Sequence, residues 1–427
     1  MMRTYRYLLS LAIVGLSYGS VLNAEELPQS APQDHLGVAT CASGVCHGSV
    51  RSRTATAVNQ NEYVIWSQRD RHRAAYNTLL TDESKSIAKK LGLATAHEAG
   101  MCLDCHADNV AEEHRGERFQ ITDGVGCEAC HGGSETYIST HVDDAATHAS
   151  NVADGMYPTD DPRARAKLCL SCHLGTADKM ASHDIMGAGH PRISFELDTF
   201  GWLQPAHYTL DDDYRAEKWA GSSIELWTVG QIEASRQTLQ LIQTRLLKGG
   251  LFPELALFDC HSCHHSMSEQ RWQQSAKSSL PPGSVRLNDA NFVMLFSIAN
   301  VLDKDLERDI RTGLRQLHKT VDKGHDLTKA TSNLMALLDK LDATVDSNSM
   351  NDQAENLIVS IVNTSAKSEM IDYVSAEQAL MAVDMLLSTT GQRDSHDAWL
   401  SKAYESLGNE DSFNPVRFSR LMKSFKS

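Results

Sequence analysis

Apolar and polar positions recur with helical spacing over the second half of the chain and irregularly over the first. From Ser222 to Leu247, Ile224, Trp227, Ile232, Leu239, Ile242 and Leu246 are interleaved with polar residues and followed by Gly249-Gly250, which predicts one long helix. The stretch Lys277 to Val285, with Pro281-Pro282-Gly283, reads as a linker. Beyond it, Phe292, Leu295, Phe296, Ala299 and Leu302 mark one amphipathic helix, and Leu306, Ile310, Leu314, Leu317 and Val321 mark a second, ended by Gly324. Further stripes run through Leu334, Leu337, Leu338 and Leu341, then through Leu357, Ile358, Ile361 and Val362. Ser375-Ala-Glu-Gln378 has the form of a capping box ahead of Leu380, Val383 and Leu387. Asn414-Pro415 opens a last short helix. Residues 285–427 are therefore expected to form an all-α helical bundle, with His318, His325 and His396 on its surface.

The first half offers fewer regular stripes. Asn59 to Leu80 predicts a helix with Tyr63 and Trp66 on one side, carrying Arg69-Asp70-Arg71-His72-Arg73. Glu25 to Val38 reads as a polar arm over the surface, with His35 solvated in it. Residues 1–24 have the pattern of a cleaved signal peptide: Arg3 and Arg6, an apolar run from Leu8 to Leu22, and Ala24 at the cut. That run contains Ser10, Gly15, Ser17, Gly19 and Ser20 and falls short of the roughly 18–20 apolar residues of a membrane span. Export to the periplasm is expected, with no transmembrane segment.

The cysteines change the picture most. All 10 fall into pairs followed at once by histidine: Cys102-Leu-Asp-Cys105-His106, Cys127-Glu-Ala-Cys130-His131, Cys169-Leu-Ser-Cys172-His173, Cys260-His-Ser-Cys263-His264, and the stretched Cys41-Ala-Ser-Gly-Val-Cys46-His47. Structural zinc and thioredoxin-like motifs use Cys-x-x-Cys but do not require the following histidine. The pattern is that of covalent haem c, whose vinyl groups take the two thiols while the histidine ligates the iron. Five haems are expected. Broad porphyrin plates also account for how a chain with 6% aromatic residues builds a core.

Five irons call for distal ligands, and the chain has 19 histidines. His72 is well placed on its charged helix. His183, His190 and His207 are further candidates, the glycines before His190 allowing close approach and Pro191 favouring an extended backbone there. His97 and His114 flank the second motif as reserves, while His261 and His265 lie too near their own attachment point to cross the same ring. Met180 and Met186 are alternative axial thioethers, and Glu196 and Asp198 alternative acceptors for imidazole N–H groups. Arg115 and Arg118 could pair with propionates.

The order from Cys41 to Leu174, strongest at Gly124-Val-Gly-Cys127-Glu-Ala-Cys130-His131-Gly132, resembles the tetrahaem cytochrome c family of ammonia-oxidising bacteria, which takes electrons from hydroxylamine oxidoreductase. The resemblance implies His72 as the distal ligand at the third motif, His141 at the first, and a five-coordinate haem at His106. The stretched first motif, the fifth motif and the C-terminal extension depart from that family.

The expected fold is mainly α: a multihaem cytochrome c region at 25–284 with little regular sheet, then the helical domain at 285–427. The expected function is electron relay between redox partners in a respiratory chain. The alternative is a multihaem oxidoreductase acting on a small nitrogen or sulfur species at one open haem. A net charge of −15 makes nucleic acid an unsuitable partner and favours a redox protein with a basic docking patch.

Overall fold

The computed structural model describes residues 26–53, 58–247, 252–264, 284–324, 326–367, 369–370 and 372–426. The segment read as a signal peptide, the linker centre at Pro281-Pro282-Gly283, and His265 and His325 lie outside them. The fold is mainly α, and no strand occurs among the described residues. The only β-type pairings there are isolated bridges, His35 to Arg115 and Phe258 to Leu287.

One helix organises the second half. Ser223–Thr244 starts where the Ser222 side chain accepts from the Glu225 N–H. It buries Ile224, Trp227, Val229, Ile232, Leu239 and Leu241, more than one face, because helices pack around it from several directions. Pro162–His173 and Leu197–Leu203 contact it from the haem-motif region, and Ala290–Leu302, Thr328–Asp342 and Tyr373–Thr389 from the C-terminal side. A single continuous core runs from Ala166 to Met422. The division expected at residue 284 therefore does not divide the core, since Ala166, Leu170 and Trp227 belong to the same cluster as Leu386 and Phe418.

The predicted stripes become helices with local differences. Ala290–Leu302 is central rather than amphipathic, with Val293, Met294 and Ile298 as buried as Phe292 and Phe296. Tyr373–Thr389 is capped by Asp372, whose side chain accepts from the Ser375 N–H, so Ser375 lies inside the helix and not at its cap. His318 is not on the surface. It is 1% exposed, on Lys304–Asp322, and its Nε2 lies 3.2 Å from Asp289.

Ahead of Ala166, the apolar clusters among the described residues are small, one of Tyr76, Leu79, Ala88, Ala96, Leu103 and Ala107 and one of Tyr157, Ala164 and Leu168. The helix predicted over Asn59–Leu80 is broken at Asp70, which is extended (φ −83°, ψ 129°) and whose carboxylate accepts from the His72 N–H. Glu62–Arg69 ends there, and Arg71–Ala74 restarts as a 3-10 turn carrying His72. The arm before Val38 lies on the surface at Glu26, Ser30 and Pro32 but is anchored inward at Pro28 and His35. His35 is fully buried, bonded through Nδ1 to Asp108 (2.8 Å) and through Nε2 to the Pro28 carbonyl (3.2 Å).

Two expectations follow from this core. Leu239→Ala removes a fully buried side chain from the central helix, and should lower stability by ~2–5 kcal/mol in thermal melts followed by far-UV circular dichroism. Burial, with Glu196 beside it, pushes the Asp198 carboxyl from 3.8 up to about 7. The folded state then binds that proton more tightly than the unfolded chain, so this contribution is present in full below about pH 4 and is lost as pH rises through about 7. Asp198→Asn should remove that decline from the pH profile of the melting temperature.

Candidate functional site

Each cysteine-histidine motif is held by its own local device. Cys102–His106 closes the helix Gly100–His106. Cys169–His173 ends Pro162–His173, which Asp161 caps through the Arg163 and Ala164 N–H groups. Asp259 caps the 3-10 turn Cys260–Ser262 through the His261 N–H. In the third motif the His131 N–H donates to the Cys127 carbonyl at 2.9 Å, and in the fifth the His264 N–H donates to that of Cys260 at 2.7 Å. The stretched motif keeps the same bond: the His47 N–H donates to the Cys41 carbonyl at 3.1 Å. Its extra residues loop out, with Val45 75% exposed. None of the 10 cysteines forms a disulfide. The Cys41 side chain lies beside that of Cys127, and the Cys105 side chain beside that of Cys172, so the first motif meets the third and the second meets the fourth.

The third motif is braced by a residue between its cysteines. Glu128 is 2% exposed, and its carboxylate accepts from the N–H groups of Leu36 (2.7 Å), Gly37 (2.7 Å) and Ser134 (2.9 Å) and from the Ser134 hydroxyl (2.5 Å). It thus clamps the N-terminal arm onto the motif. Gly124 has φ +76°, and a Cβ there would lie 2.7 Å from the Arg73 carbonyl oxygen. The glycine allows close passage of the His72–Arg73 backbone.

The histidines fall into five opposed pairs. Ring centres are 6.3 Å apart for His47 and His141, 6.3 Å for His106 and His190, and 6.0 Å for His131 and His207. They are 6.2 Å apart for His72 and His173 and 6.3 Å for His183 and His264. A metal–imidazole nitrogen bond of about 2 Å, plus about 1 Å from that nitrogen to the ring centre, separates two trans imidazoles by about 6 Å. Every pair joins a motif histidine to one from elsewhere in the chain, so the residues present fit haem iron. His72 faces His173 and not His131, because the break at Asp70 turns it toward the fourth motif; His207 stands opposite His131 instead. His190 stands opposite His106, where the family resemblance implied an open position.

Burial, with His207 next to it, lowers the pKa of His131 to about 3, and burial lowers that of His173 to about 4, so both rings stay neutral. Ring orientation is set at Nδ1. His106 reaches the Ala75 carbonyl (3.1 Å) and the Thr78 hydroxyl (2.9 Å), His141 the Tyr137 carbonyl (2.9 Å) and His190 the Pro191 carbonyl (2.8 Å). His47 reaches Glu62 and His72 reaches Asp70, each at 2.9 Å. Against the burial that opposes it, hydrogen bonds from His72 and Gln204 hold the Asp70 carboxyl down to about 2.

The remaining described histidines have other work. His114 pairs with Asp34 (3.0 Å), His148 with Asp160 (2.7 Å) and His261 with the Glu410 carbonyl (3.2 Å), while His97 lies edge-on to Tyr76. Arg115 is committed to the Val110 carbonyl and to Asn109. Glu196 caps Leu197–Leu203, and Met180 packs on the apolar core.

Glu62, Asp70 and Glu128 were missed as functional residues. Only Glu128 had a signal, as a carboxylate placed between two attachment cysteines. The fifth motif is tied to the bundle by Arg286, which lies 2.5 Å from Asp259 and 3.7 Å from Asp372. The Glu254 carboxylate, accepting from the His183 N–H at 2.9 Å, ties the opposing segment.

Residues 40–132 match the family model described as Cytochrome c554 and c-prime. A search of curated proteins and of solved structures gives no match. With the motifs it covers, the matched stretch supports a likeness to multihaem c-type cytochromes. This class carries covalently bound haem c and works in electron transfer. Among the described residues no helix is long and apolar enough to cross a membrane.

Glu128→Ala would leave the buried Leu36, Gly37 and Ser134 N–H groups without an acceptor, at a cost of ~1–3 kcal/mol for each group left unsatisfied. Limited proteolysis should then cut ahead of Val38 in the variant and spare the wild type.

Proposed function

We propose that this chain is an exported pentahaem c-type cytochrome that relays electrons between redox partners in a respiratory chain. The observation that carries the reading is the set of five opposed imidazole pairs with ring centres 6.0–6.3 Å apart, each containing one motif histidine. Haem c would be attached through Cys41 and Cys46, Cys102 and Cys105, Cys127 and Cys130, Cys169 and Cys172, and Cys260 and Cys263. The retained His47 to Cys41 hydrogen bond supports attachment at the stretched motif. His141, His190, His207, His72 and His183 would be the ligands opposite His47, His106, His131, His173 and His264.

When bound, haem iron supplies a one-electron centre that alternates between two oxidation states. The protein's part would be to hold two imidazoles on each centre. At His47, His72, His106, His141 and His190, Nδ1 bonds to carbonyls and carboxylates fix the ring and leave Nε2 free to ligate, so these ligands would not need to rearrange as charge changes. His190 opposite His106 favours relay over turnover, because it occupies the position that a small substrate would need. The charge of −15 supports a partner with a basic docking patch, for which complementary charge speeds encounter.

Mass spectrometry of the exported protein should show five haem additions; four would mean that the stretched motif is empty. His190→Ala should convert one haem from low to high spin, leaving all attachments intact, as read by electron paramagnetic resonance. Offered nitrite, hydroxylamine, nitric oxide or tetrathionate, the reduced protein should show no rapid multi-turnover reoxidation. Rapid consumption of any of them would replace relay with catalysis.

A further inference from the structure

The five imidazole pairs differ in what their Nδ1 atoms meet. The acceptors of His106, His141 and His190 are neutral, either backbone carbonyls or the Thr78 hydroxyl. Only His47 and His72 among the described pairs have a carboxylate there, Glu62 Oε2 and Asp70 Oδ1, each at 2.9 Å. A charged acceptor makes the stronger hydrogen bond. It draws the Nδ1 proton toward itself, raises the electron density at Nε2, and leaves a full negative charge one imidazole away from a metal held at Nε2. All three effects favour the more positive oxidation state of a metal held at Nε2.

Both carboxylates are fixed in place. Asp70 is 8% exposed; its Oδ1 also accepts from the His72 backbone N–H at 2.9 Å, and its Oδ2 accepts from Gln204 Nε2 at 3.1 Å. Gln204 ends the Leu197–Leu203 helix just before His207, so one carboxylate orients His72 and ties it to the segment bearing the His131 partner. Glu62 sits in the first turn of Glu62–Arg69, and its Oε1 accepts from the Gln60 N–H at 3.0 Å. The Glu62 side chain is 17% exposed and that of Asp70 5%, so screening is weaker around Asp70.

We propose that Glu62 and Asp70 are positioning residues that hold the haems of the first and fourth motifs at lower midpoint potentials than neutral acceptors would, with the larger effect at Asp70. The proposal rests on the bis-histidine relay reading. It gives the relay a direction: electrons arriving at the first or fourth centre pass on to centres whose imidazoles have neutral partners.

The test is a spectroelectrochemical titration of the full holoprotein and of Glu62→Gln and Asp70→Asn, which keep a hydrogen-bonding side chain and remove its charge. Each substitution should raise one midpoint and leave the others in place. For Asp70→Asn the oxidised-to-reduced ratio at fixed potential should fall at least about tenfold, corresponding to about 59 mV for a one-electron couple. One low-spin electron paramagnetic resonance signal should change its g-anisotropy in each variant, a response that loss of packing alone would not give. Unchanged or lowered midpoints in variants that retain five haems and all low-spin signals overturn the proposal. A wild-type mass showing fewer than five haems, or a high-spin centre in the wild type, instead overturns the reading of five bis-histidine centres on which the proposal rests. If either variant loses a low-spin signal, Glu62→Asp and Asp70→Glu serve as the second measurement. These keep the charge and change the reach, and a midpoint that rises with loss of the Nδ1 bond supports the proposal, whereas one equal to the wild type overturns it.

Discussion

Two imidazoles that share one metal must face each other with their centres about 6 Å apart, and in this chain the five histidine pairs at that spacing all bridge segments distant in sequence. That spacing bears on the character of the first half. A region that holds opposed rings this far apart has less room for an ordinary apolar core, and its own clusters of buried side chains among the described residues are small. Stiffness comes instead from buried polar groups with several partners each. Glu128 gathers four donors around the third motif, and Asp70 breaks a helix, aims His72 and reaches across to Gln204. Buried carboxylates are costly unless fully hydrogen-bonded, and these two meet that condition.

The second half solves the complementary problem. Its helices build a continuous core on Ser223–Thr244, and that core extends into Pro162–His173, the helix that carries the fourth motif. Arg163 meets Asp342 at 2.7 Å on the same seam. The fifth motif hangs from the bundle through Asp259, Arg286 and Asp372, and Arg192, just after His190, reaches Glu377 and Glu410. The bundle thus shares its core with the helix that carries the fourth motif and holds the fifth motif through ion pairs.

Much of this was legible in the residues themselves. Helical periodicity located Ser223–Thr244 and the C-terminal helices, because burial of an apolar face leaves a local repeat in the chain. The cysteine-histidine motifs were equally plain, since each is a short run of adjacent residues in the chain. Helix ends were less legible: Asp372 and not Ser375 caps Tyr373–Thr389, as either could by composition. His35 and His318 were expected near solvent and are buried, each beside an aspartate supplied by another part of the chain.

What the sequence by itself determined, then, is local: which segments are helical, and which histidines follow directly on a pair of cysteines. Which histidine stands opposite each of these was decided only by the tertiary structure. The pairing of His72 with His173, and of His207 with His131, depends on one extended residue at Asp70 and on how the Leu197–Leu203 helix approaches it. Glu62 and Asp70 likewise became meaningful only once their carboxylates were found on imidazole nitrogens. Spacing along a chain constrains contacts within a turn or two, whereas a ring facing another across a slot is the outcome of every backbone turn in between.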